Sequence, residues 1–171
     1  MARKVFTSFH FKRDYFRANQ VRNMGKIEGN SIISHNAWET VKAKGSHAIT
    51  EWIDNNMKGK SCLVVLVGAE TSNRKWVLYE IEKAWNDGKG VLGIYVHKLG
   101  GGNGQDFKGQ NPFDNFLLGG RKFSNYVNCH STRFTNSTAV YNAIKENIND
   151  WIEEAIAIRK LYSLGMRITR R

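Results

Sequence analysis

Residues 61–68 read SCLVVLVG, six consecutive apolar residues from Cys62 to Val67 closed by a glycine. A strand with one wet face alternates polar and apolar side chains. This run does not, so as a strand it must be covered on both faces. Helices on both sides of a sheet provide that cover, and the fold class follows as α/β. The run VLGIYVH (Val91–His97) has the same character, and KVFTSFHF (Lys4–Phe11) predicts a strand at the start.

Helical periodicity fills the spaces between these strands. SHNAWETVKAKGSHAITEWIDNNM carries Trp38, Val41, Ile49, Trp52 and Ile53 and is broken at Gly45. In NRKWVLYEIEKAW, Val77, Ile81, Ala84 and Trp85 fall at i, i+4, i+7 and i+8, one apolar stripe, and Gly88 is placed to end the helix. Val140, Ile144, Ile148, Ile152 and Ala155 repeat every three or four residues and predict a long helix over about 137–162. Thr135, Asn136 and Ser137 are its candidate caps. Strands alternating with helices imply βαβ units around a central parallel sheet, so we expect a flavodoxin-like three-layer sandwich spanning residues 1–171 as a single domain. Residues 98–125 are glycine-rich and read as a long loop. Its segment 100–113 is open to two readings, a mobile lid or a plain surface loop.

The net charge of +11 sits at the two ends: residues 1–26 hold seven Lys/Arg and one acid, and residues 157–171 hold five and none. A nucleic-acid module carries its basic residues along a binding face, so no nucleic-acid partner is expected. No segment reaches the roughly 18 apolar residues of a membrane span. The basic N-terminus lacks the apolar stretch of a secretion signal, and the expected location is cytoplasmic. Two cysteines, Cys62 and Cys129, make no disulfide framework, and Cys129 is weighed as a nucleophile only because His130 follows it. Gly59-Lys60-Ser61 fails as a phosphate loop because Asp54 stands where its first glycine belongs. The run Gly100–Gly104 fails as a dinucleotide fingerprint because Phe107 takes the third glycine position. The five histidines, His10, His35, His47, His97 and His130, form no close ligand pair, and no metal is expected. His10 keeps interest because it falls at the carboxyl end of the first strand, where open parallel sheets bind ligands.

Trp76 and Glu80 are four apart on one helix and share a face, beside the apolar stripe. Their helix leaves the carboxyl end of the strand closed by Gly68, so its first turns stand near the same crevice. Trp76 offers a flat face for an aromatic ring, and Glu80 a carboxylate next to it. Geometry leaves a second reading open, a surface ion pair of Glu80 with Lys83 or Arg74.

These stretches resemble a known family. RKVFTSFHF is similar to the first box of TIR domains, a strand ending in F-x-S-F/Y, and SNRKWVLYEIEKAW to their W-x-x-x-E helix. VLVGAETSNRKWVLYEI followed by GVLGIYVHKL resembles the single-domain TIR-like proteins of bacterial antiphage systems, in particular the Thoeris TIR subunit. The likeness runs from residue 3 to about 113. It implies an NAD⁺-consuming enzyme with no bound cofactor, Glu80 as the catalytic carboxylate, and an ADP-ribose-derived nucleotide that diffuses to a partner effector. It implies further that Trp76 or Phe9 stacks on a base, that Ser8, Phe9 and His10 line the ribose and phosphate side, and that Arg13 or Arg17 meets the pyrophosphate. A homo-oligomer fits the same resemblance. His10, Phe11, Lys12 and Arg13 depart from the basic residues that usually follow the box, so the phosphate partner stays open. The competing expectation is a non-catalytic, receiver-like interaction scaffold in which Glu80 has no role.

Overall fold

The computed structural model describes residues 2–29 and 35–171. Ser34 and the side chain of His35 lie outside the described residues. The strands β1 (Lys4–Ser8), β2 (Glu28–Gly29), β3 (Cys62–Val67), β4 (Gly90–Tyr95) and β7 (Cys129–His130) form one sheet in the order β2-β1-β3-β4-β7. Every neighbouring pair is parallel, with Ser8 of β1 beside Val65 of β3 and Val67 of β3 beside Tyr95 of β4. That order is the doubly wound one of flavodoxin-like α/β folds, with the chain reversing its direction of winding at β1 and β3.

The buried run of β3 explains the layers. Cys62, Val64 and Leu66 face one side, where α1 (Phe11–Arg22) and α5 (Ser137–Lys160) supply Ala18, Val21, Ile144, Ile148 and Ile152. Leu63, Val65 and Val67 face the other, against Ile53 and Met57 of α3 (Ser46–Met57) and Val77, Ile81 and Trp85 of α4 (Lys75–Asn86). Both cores are closed to solvent, the two-sided cover that the run demanded. Gly45, at φ 94°, separates α2 (His35–Ala43) from α3, and Gly88, at φ 87°, turns the chain out of α4. The Asn136 side chain caps α5 by accepting from the backbone of Thr138 and Ala139.

Two boundaries differ from expectation. The first strand stops at Ser8, and Phe11 already begins α1, with His10 at the N-cap. Residues 98–125 are not all loop: β5 (Phe116–Leu118) pairs antiparallel with β6 (Arg121–Lys122) and with β8 (Thr169–Arg170). This small sheet places Phe116, Phe123 and Ile168 against Trp85 on the α4 side. Its central strand is three residues long and one partner lies some fifty residues away, so no local periodicity announces it.

Candidate active site

Phe6 and Ser8 are two apart on β1 and face the same side of the sheet as α4. Glu80 reaches that strand from α4, and the Ser8 hydroxyl donates to Glu80 Oε1 at 2.9 Å. Glu80 is only 7% exposed. It forms no ion pair among the described residues: Arg74 turns to Glu70, at 3.5 Å, and Lys83 to Asp87, at 2.9 Å. The surface-pair reading therefore fails. Burial without a counter-charge drives the Glu80 carboxyl up to about 8, and the Ser8 hydrogen bond pulls weakly the other way. Glu82, two residues on, pairs at the surface with Arg170 at 3.1 Å.

Glu80 sits in the wall of a cavity of about 410 Å³ at the carboxyl ends of β1 and β3. This is the crevice where doubly wound sheets take ligands. One side is aromatic: Phe9 stacks on Phe11 at 5.9 Å between centroids, and Phe11 on Trp38 at 5.8 Å. Trp76, braced edge-on by Tyr79 at 5.9 Å, and Lys12 line the same cavity. His10 lines the cavity as well, and burial together with Arg74 lowers its basicity, which favours the neutral imidazole.

The expected site residues thus divide. Phe9, His10, Trp76 and Glu80 meet at the cavity. Ser8 lies beneath it, 1% exposed, and touches Glu80 from below. Arg13 is taken up by acids, with Nε and Nη2 on Asp106 at 2.6 and 2.8 Å and Nη1 on Glu70 at 3.0 Å. Arg17 is 4% exposed and absent from the Glu80 cavity. It bonds Asp14 at 2.8 Å and the carbonyls of Leu99 and Gly104 at 2.9 and 2.6 Å. Both guanidinium groups are engaged within the protein, where helix α1 uses them to hold the glycine loop, and both line a second groove beside it. Phe11, Trp38 and Lys12 are among the cavity residues that sequence reasoning did not assign. Trp38 carries no local signal, since it arrives from a helix forty residues before α4.

The glycine loop is no lid over Glu80. It borders a second groove of about 930 Å³ and is fastened by Arg17, by Gln20 donating to Gly100 O, and by Ser137 accepting from Gly100 N at 2.9 Å. Cys129 is an inert thiol, pushed up to about 12 by burial. No cluster of ligands suited to a metal occurs among the described residues, nor a helix long and apolar enough to cross a membrane.

Comparison with known proteins places the chain in a family. A candidate cyclic ADP-D-ribose synthase, ThsB1, from Bacillus cereus (strain MSX-D12) is 35% identical over 120 residues, 67% of this chain. The match spans 62% of that relative's length. The model of the family described as "Thoeris protein ThsB, TIR-like domain" matches residues 6–100, a span that contains the end of β1, all of β3 and α4, and Glu80. That span is more than half of the 171 residues, so the chain belongs to the TIR-like domain family of Thoeris ThsB proteins.

Proposed function

We propose that this protein cleaves the nicotinamide–ribose bond of NAD⁺ and converts the ADP-ribose unit into a signalling nucleotide for an effector in antiphage defence. The observation that carries the reading is a buried, unpaired glutamate held by Ser8 in the wall of an aromatic cavity. Nicotinamide in NAD⁺ is a cationic ring, and Phe9, Phe11, Trp38 and Trp76 offer aromatic faces that attract such a ring. The name of the Bacillus cereus relative, a cyclic ADP-D-ribose synthase, supports the same substrate.

The chemistry asks little of the site. The C1′–N bond breaks, its electron pair leaves with neutral nicotinamide, and no acid is needed to expel it. The ribose gains oxocarbenium character, as in glycoside cleavage. A carboxylate fixed in a dry cavity stabilises that charge far better than water does. Burial favours the protonated form of Glu80 at neutral pH. The incoming cation favours the ionised form, so substrate entry arms the group. Attack on C1′ by water then gives linear ADP-ribose, and attack by the adenine of the same nucleotide gives a cyclic product.

The test is mass spectrometry of nucleotides formed from NAD⁺, with purified protein and in cells under phage challenge. Glu80→Gln is expected to lower turnover by about 100-fold or more. A folded Glu80→Gln protein with full turnover would sink the enzyme reading and favour the scaffold.

A further inference from the structure

We infer that the second groove, between α1 and the glycine loop, seats the adenosine diphosphate half of a dinucleotide. Phe16 and Phe107 take the adenine, and Lys12 takes the phosphates. The assignment rests on the Glu80 cavity holding nicotinamide and its ribose.

Four observations carry it. First, the two hollows adjoin: His10, Lys12 and Arg74 line both. Second, the sizes fit. The Glu80 cavity, about 410 Å³, is near the low end of small-molecule sites, which run from roughly 300 to 1,000 Å³. A whole dinucleotide must extend beyond it, and the groove adds about 930 Å³.

Third, two large aromatic side chains stand in water on this groove, Phe16 61% exposed and Phe107 78% exposed. Exposed aromatics beside a cationic groove form a stacking platform for a base. Fourth, the charges are sorted. Glu70 and Asp106 face the groove, but Arg13 bonds both, and Arg74 also reaches Glu70. Arg17 is occupied by Asp14 and the loop carbonyls. Lys12 makes no ion pair among the described residues and stands where the hollows meet. The wall is preformed, since Arg13 grips Asp106 and the backbone N–H of Phe107 donates to Asp106 Oδ1 at 2.9 Å. Arg13 and Arg17 therefore build this seat without touching the phosphates.

The test titrates the full chain calorimetrically with ADP and, separately, with nicotinamide mononucleotide. The double variant F16A/F107A is expected to weaken ADP by about 10- to 100-fold while leaving the mononucleotide unchanged. Phe107→Trp keeps a ring and should retain ADP. Lys12→Ala should weaken ADP several-fold and flatten its salt dependence. Unchanged ADP affinity in the double variant would overturn the assignment. So would loss of ADP in Trp76→Ala with the double variant intact, or failure of the wild-type chain to bind millimolar ADP. Neither ligand titration uses Glu80 chemistry. A groove that fails here while Glu80→Gln abolishes turnover refutes only the adenine seat, and the converse result refutes only the enzyme.

Discussion

Glu80 is a destabilising residue in the resting protein. Its carboxyl titrates near 8 in the fold, against about 4.5 in an exposed chain, so the folded state binds the extra proton between those values. Stability is greatest below about pH 4.5 as far as this group is concerned, and falls as pH rises through 8. Replacing Glu80 with Gln removes that loss. The variant should be more stable than wild type by roughly 1–3 kcal/mol at pH 8 and by much less at pH 5, as denaturant titrations at the two pH values will read. The same acid should appear in catalysis with the opposite sign. If the carboxylate is the active form, kcat/KM rises about tenfold per pH unit up to about 8 and then levels, because that ratio reports the free enzyme. Ser8 acts through Glu80, its hydroxyl being 2.9 Å from Oε1. Ser8→Ala should lower kcat about tenfold with little change in KM and move the pH profile upward, since the lost bond favoured the ionised form.

Helix α1 and the end of β3 depend on one tight approach. A side chain on Gly68 would put its Cβ 2.0 Å from Asp14 Oδ2, and Asp14 is fully buried and paired with Arg17 at 2.8 Å. The carboxylate has nowhere to retreat without leaving the arginine that also holds Leu99 and Gly104. Gly68→Ala is expected to cost about 3 kcal/mol or more in a thermal or denaturant melt, as a broken buried ion pair does. Because the arginine is also the bolt of the glycine loop, hydrogen exchange in residues 100–106 should rise in the same variant. An unchanged loop would show that Arg17 does not fasten it.

Taken whole, part of the basic excess at the two ends is tied up in ion pairs. Arg3 pairs with Glu153 at 2.6 Å, Arg170 with Glu82 at 3.1 Å, and Arg13 with Asp106 and Glu70. The segment after α5 closes the α4 side of the molecule. Met166 O accepts from Trp85 Nε1 at 2.9 Å, Ile168 N donates to Asn86 at 2.9 Å, and β8 completes the small sheet. Arg159 lies over Trp85 at 4.5 Å and donates to the Trp85 carbonyl. Deleting residues 161–171 therefore uncovers Trp85 and Phe116 and removes the buried Ile168. The loss should exceed the roughly 2–5 kcal/mol of a single large-to-small core change, and a thermal melt of the truncated chain will measure it.

What could be read directly from the residues was whatever a single element declares. The unbroken apolar run Cys62–Val67 required cover on two faces, the stripe Val77, Ile81, Ala84 and Trp85 marked the docked side of α4, Gly88 marked its end, and Gly45 marked the break between α2 and α3. Each of those patterns lies within one element or at its end, within the reach of local geometry. They also put Trp76 and Glu80 on one face at the carboxyl end of the sheet, where both line one cavity. The state of that glutamate was decided by tertiary structure. Whether Glu80 was a solvated charge or a buried acid depended on Ser8, seventy-two positions earlier, and on where Arg74 and Lys83 turned. The aromatic wall needed Trp38 brought from α2, and the small sheet needed Thr169 and Arg170 brought back to Phe116. Arg13 and Arg17, one of which the resemblance assigns to the pyrophosphate, are held by Asp106 and Gly104, partners that only the tertiary structure brings beside them. Burial and charge pairing are sums over neighbours distant in the chain, so they exist only after the layers have closed.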